Sequence, residues 1–142
     1  MSYKDEYDAL WVWFKQKSNE YDAIGYREHV SIKGKGLRDS PLLLIRQQDV
    51  IVFNRRLLIL REKYGLASAK ELEDLARLRA SEKFDEEMYE VAQWFKGKVL
   101  ECLDAVEKGE LSPKGLVGPF RMEDCNELIR RQRALEEKYG VR

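Results

Sequence analysis

The residues best suited to chemistry are the carboxylates Glu86, Glu87, Glu90, Glu101 and Asp104. Acids at helical spacing could hold a divalent cation and activate water against a phosphate ester. Here the spacing points elsewhere. Ten residues separate Glu90 from Glu101 within one uninterrupted helical pattern. Glu87, Glu90, Glu101 and Asp104 therefore share one face of one helix, away from its apolar stripe, and read as a solvated acidic stripe. His29 is the only histidine. It lacks a nucleophile-elbow context, and neither HExxH nor ExxH spacing occurs. Lys33-Gly34-Lys35-Gly36 and Pro113-Lys114-Gly115 lack the GxxxxGK[ST] pattern of a phosphate loop and read as interhelical turns. Cys102 and Cys125 have no CxxC spacing and read as reduced, apolar core thiols. No catalytic residue, metal ligand or cofactor is assigned.

The elements that would position any site follow from composition and pattern. The 142 residues carry 26 basic and 26 acidic side chains, so net charge is zero, which disfavours a bulk nucleic-acid neutraliser. With 44% apolar and 37% charged residues, there is material for a core and for a dense ionic surface. No window holds 18 apolar residues and no signal-peptide pattern opens the chain, so a cytoplasmic protein without a membrane span is expected. Threonine is absent and Glu, Lys and Arg abound, a composition common in heat-adapted proteins.

The strongest internal signal is a degenerate duplication. Trp13-Phe14-Lys15-Gln16-Lys17 is echoed by Trp94-Phe95-Lys96-Gly97-Lys98, and Asp22-Ala23-Ile24 by Asp104-Ala105-Val106. Lys35-Gly36-Leu37 is echoed by Lys114-Gly115-Leu116. Arg55-Arg56 followed by Glu62-Lys63-Tyr64-Gly65 returns as Arg130-Arg131 followed by Glu137-Lys138-Tyr139-Gly140. The order is kept while the offset drifts from 81 to 75. Each copy, about 4–66 and 85–142, reads as helix, glycine-containing loop, helix. Tyr3, Tyr7, Leu10, Trp11, Phe14 and Tyr21 line one face of the first helix. Phe84, Met88, Val91, Phe95, Val99, Cys102 and Val106 line its counterpart. Gly65 and Gly140 sit where a left-handed C-cap belongs. Ser68 with Glu71 is a capping box opening a linking helix near 68–80, and Ser112-Pro113 starts a short turn. Residues 42–60 alone fit either strands or a buried helix. Alignment with the helical pattern of 124–139 selects helix, with a hairpin through Gln47-Gln48-Asp49 as the rival. The expected fold is all-α: one domain, 1–142, a helical bundle of about five helices built from two degenerate helical-hairpin repeats.

Two resemblances are partial. Glu86-Glu87-Met88-Tyr89-Glu90 with Glu101-Cys102-Leu103-Asp104 is similar to the EExxE…ExxD magnesium signature of MazG-type nucleotide pyrophosphohydrolases. That family places the two halves on separate antiparallel helices, and the uninterrupted pattern here departs from it. The Glu-Lys-Tyr-Gly-Leu stretch at 62–66 is faintly similar to short helical antitoxins, over too little of the chain to define a family. A helix-turn-helix at Leu60–Leu75 would present Glu71, Glu73 and Asp74 to phosphate, which repels it.

The two copies differ on one face. Ile51, Val52, Leu58 and Ile59 of the first correspond to Asn126, Glu127, Arg133 and Ala134 of the second. An aliphatic seam of that size must be covered, by the 68–80 helix or by another chain. Arg55 and Arg56 have only apolar neighbours one turn away, whereas Arg130 and Arg131 have Glu127. The first pair needs carboxylates from elsewhere or, in the second choice, nucleic-acid phosphates. Trp13 and Trp94 hold matched positions at the edge of their apolar stripes, fit for packing or for a partner. The expected function is a non-enzymatic helical protein–protein interaction or assembly module, self-associating as a homodimer or binding another protein. Its interface candidates are Ile51, Val52, Leu58, Ile59, Trp13 and Trp94. A nucleic-acid-associated protein using Arg55, Arg56, Arg130 and Arg131 is the alternative, and a magnesium-dependent nucleotide hydrolase the third.

Overall fold

A computed structural model describes residues 1–33 and 40–141. Five helices follow one another: α1 (Tyr3–Ser31), α2 (Ser40–Lys63), α3 (Ala69–Ala80), α4 (Glu82–Glu107) and α5 (Met122–Tyr139). The described residues contain no strand. The 42–60 ambiguity resolves as helix, and the glycines at 34 and 36 lie outside the described residues.

The helix ends show why the chain turns where it does. Ser2 and Asp5 form a capping box at α1, and Ser68 and Glu71 form one at α3. Each satisfies two backbone donors that a helix start would otherwise leave unpaired. Gly65 and Gly140 follow their helices at φ +70° and +65°, a conformation that costs glycine little. Behind them Leu66 N donates to Arg61 O and Val141 N to Glu136 O, both at 2.8 Å. Between α4 and α5, Ser112 Oγ accepts from Lys114 N, so this stretch forms a turn.

α1 and α2 run antiparallel, because Lys63 at the end of α2 reaches Glu6 at the start of α1. α4 and α5 do the same through Lys138 and Glu87. α2 and α4 are the inner pair: α2 packs against α1, α3 and α4, and α4 against α1, α2 and α5. The core joins Tyr21 and Ile24 of α1, Leu42, Leu44 and Ile45 of α2, and Cys125 and Leu128 of α5 around α4. On α4, Ala92, Phe95, Val99, Cys102 and Leu103 have no exposed surface. Cys102 and Cys125 are free and buried, and burial pushes both thiols up from their ordinary range.

Candidate interaction surfaces

The aliphatic seam of α2 is largely covered from within the chain. Ile51, Val52 and Leu58 are half-buried, and Ile59 keeps 40% of its surface. α3 lies on α2 and buries Leu75 there. What stays open between them is a groove of about 420 Å³. Ile51, Leu57, Leu58 and Leu78 make its apolar wall, and Asn54, Asp74 and Arg77 line the rest.

The four arginines have partners. Arg55 donates to Asp85 at 2.7 Å, and each side chain of that pair is only 11% exposed. The carboxylate that Arg55 lacked on its own helix thus comes from α4. No spacing rule could have located it thirty residues away. The Arg55 Nε is buried and unpartnered. Arg56 lies over the Trp13 ring at 4.7 Å and Arg131 over the Trp94 ring at 3.9 Å. Glu127 accepts from both Arg130 and Arg131. Those two guanidinium groups pull the Glu127 carboxyl down to about 2. A carboxyl NMR titration should therefore find Glu127 ionised throughout the range where an ordinary glutamate titrates. In Arg130→Ala with Arg131→Ala, its midpoint should return toward the ordinary glutamate value of 4.5.

The same set of interactions occurs twice. Tyr64 OH and Lys63 Nζ both donate to Glu6, as Tyr139 OH and Lys138 Nζ do to Glu87. Tyr3 meets Tyr64 edge-on at 5.7 Å and 71°; Phe84 meets Tyr139 at 5.8 Å and 73°. The Trp13–Arg56 and Trp94–Arg131 stacks complete the correspondence. First-helix members differ by 81 residues and second-helix members by 75.

The acidic stripe lies along α4 alone. Glu87 and Asp104 are about 25 Å apart along the axis at 1.5 Å per residue. Glu87 is held by Lys138 and Tyr139, Asp104 by Arg27, and Glu101 by Lys98 at 3.5 Å. Among the described residues, no three His, Cys, Asp or Glu side chains are grouped to hold a metal ion. His29 is exposed on α1.

Two features escaped the sequence reading. The first is a buried polar cluster where α1, α2 and α4 meet. Asp49 is 1% exposed, and neither of its carboxylate oxygens has a hydrogen-bond partner. The Gln48 Oε1 and Gln93 Nε2 atoms are likewise buried and unpaired. Lys96, also buried, donates to Glu20 at 2.7 Å. Burial drives the Asp49 carboxyl above its ordinary range, against the pull of Lys96, Lys17 and Arg46.

The second is the outward face of α1. Positions 9, 12, 16, 19, 23, 26 and 30 are all exposed and follow an unbroken 3–4 spacing. Three of them are large and apolar: Val12 is 68% exposed, Tyr26 71% and Val30 58%. Trp11 adjoins the stripe, and with Val12 and Phe14 it lines an apolar hollow closed by Lys15 and Ser18. The sequence signal was present. The stronger aromatic stripe on the opposite side of α1 masks it.

The fold defines the class: an all-α bundle of five helices. No family model matches the chain, and no curated protein or solved structure is significantly similar to it. No helix among the described residues is long and apolar enough to cross a membrane.

Proposed function

We propose that the protein is a non-enzymatic helical assembly module that self-associates. In this reading the chain is a short stack of two related helical hairpins, α1–α2 and α4–α5. In such stacks an inner helix is apolar on both faces and a terminal helix shows a polar outer face. The α2 seam of Ile51, Val52, Leu58 and Ile59 is the one that α3 lies against, where outer α5 has Asn126, Glu127, Arg133 and Ala134. The observation that carries the reading is the other end of the stack. With the bundle's core already packed, α1 still presents Val12, Tyr26 and Val30 to solvent. These groups share one face, Ala9 and Val12 on one side of exposed Gln16 and Asn19 and Ala23, Tyr26 and Val30 on the other. Exposed apolar groups gathered on one face favour a protein-binding surface.

Sedimentation velocity over a wide concentration range tests this. The expected result is a reversible shift toward about 34 kDa, twice the 16.8 kDa chain. A species that stays at the monomer mass throughout overturns self-association. The nucleic-acid reading draws less support from the geometry, because Arg55 is committed to Asp85 and Arg130 to Glu127.

A further inference from the structure

We propose that the self-association surface is the outward face of α1, paired antiparallel with α1 of a second copy. The proposal rests on the self-associating reading above and names its geometry. A 3–4 spacing is the seam of a two-helix coiled coil, in which layers form between facing side chains. In the antiparallel register centred between residues 17 and 18, Ala9 meets Tyr26 of the second copy and Val12 meets its Ala23. These two layers each set a large side chain against a small one, as close packing requires; Val30 falls beyond them, opposite Asp5 of the second copy. Gln16 meets Asn19 in both central layers, where facing amides can hydrogen-bond and fix the register.

The flanking polar groups agree with the same register. On the side of the stripe turned away from the bundle stand Asp8, Lys15, Asp22 and His29. The antiparallel register sets Lys15 against Asp22 of the second copy, twice over by symmetry, and Asp8 beside its His29. A two-fold axis makes every such pair reciprocal, so the surface is self-complementary. A parallel pairing fits worse. It would stack Tyr26 on Tyr26 and Ala9 on Ala9, leaving layers alternately crowded and hollow. Its ion pairs would also need Glu20 and Arg27, which Lys96 and the Asp104–Glu107 pair already hold. The outward face of α5 at the far end of the bundle is more polar, with Asn126, Arg130, Arg133 and Glu137 around Ile129 and Ala134.

The test is a charge exchange read by equilibrium sedimentation, with thermal melting as the control for folding. Lys15 and Asp22 have no ion-pair partner among the described residues of their own chain, so the variants should melt like the parent. Lys15→Asp alone and Asp22→Lys alone each place like charges opposite one another, and each should weaken the dimer by about tenfold or more. The double variant restores opposite charges and should recover most of the lost affinity. A dimer indifferent to both single changes, or a double variant weaker than either, overturns the α1 pairing while leaving self-association intact. A parent protein that stays monomeric at every concentration overturns both.

Discussion

Asp49→Asn should raise the melting temperature of the protein at neutral pH. The side chain is 1% exposed, and both carboxylate oxygens lack a hydrogen-bond partner. A buried, unsatisfied polar group costs about 1–3 kcal/mol, more when charged. The amide keeps the shape and removes the charge but stays polar. The gain is therefore the part of the cost that belongs to the charge, about 1 kcal/mol or a few degrees in a domain of this size. The pH dependence gives the sign. Burial raises the folded-state value above the 3.8 of the free side chain. The folded protein therefore holds this proton more tightly than the unfolded chain does. The stability linked to it is complete below 3.8 and lost as pH rises through the folded value. Scanning calorimetry of both proteins should show the variant's advantage at neutral pH and its disappearance well below 3.8. A variant that melts lower than the parent at neutral pH would show that the Asp49 carboxylate is stabilised by its surroundings.

Breaking the Arg55–Asp85 pair should have the largest destabilising effect among the polar side chains. Both groups are nearly buried, and Asp85 also accepts from Ser81 Oγ at 2.8 Å, tying the start of α4 to α2. Removing one partner of such a pair leaves a buried charge uncompensated, at about 3–5 kcal/mol. Arg55→Ala should therefore lower the unfolding free energy in urea by about 3 kcal/mol. The double change Arg55→Met with Asp85→Leu removes both charges and should recover most of that loss, since apolar pairs often replace buried ion pairs without cost. If Arg55→Ala unfolds like the parent, the arginine is free for another ligand, and the phosphate-binding alternative regains its best residue.

Local rules carried most of the fold. The capping boxes, the Tyr-Gly endings and the 3.6-residue periodicity each act over one or two turns, so single-sequence reasoning places the helices well. The 42–60 segment was harder because α2 is inner and apolar on several sides, which erases the periodic signal of a half-buried helix. Comparison with 124–139 supplied what the local pattern lacked. The surfaces were less legible because they depend on which faces meet. The partial covering of the α2 seam by α3, with a groove left open at Ile51 and Leu58, is a tertiary fact that spacing alone did not decide. So is the reach of Asp85 to Arg55. Asp49 was hidden by its type: an aspartate closing the polar run Gln47-Gln48-Asp49 reads as solvated, and only the crossing of three helices buries it. The α1 stripe was readable as a 3–4 pattern, but its exposure became visible only once the opposite aromatic face had been assigned to the core.

The central claim is that this bundle assembles through surface left open by its own packing. Light scattering on a size-exclusion column tests it most directly, with the parent run beside a Val12→Asp, Tyr26→Asp double variant. Both substituted residues are more than half exposed, so the variant should fold as the parent does. The expected result is about 34 kDa for the parent and 16.8 kDa for the variant. Equal masses for the two proteins, whether monomer or dimer, would contradict it.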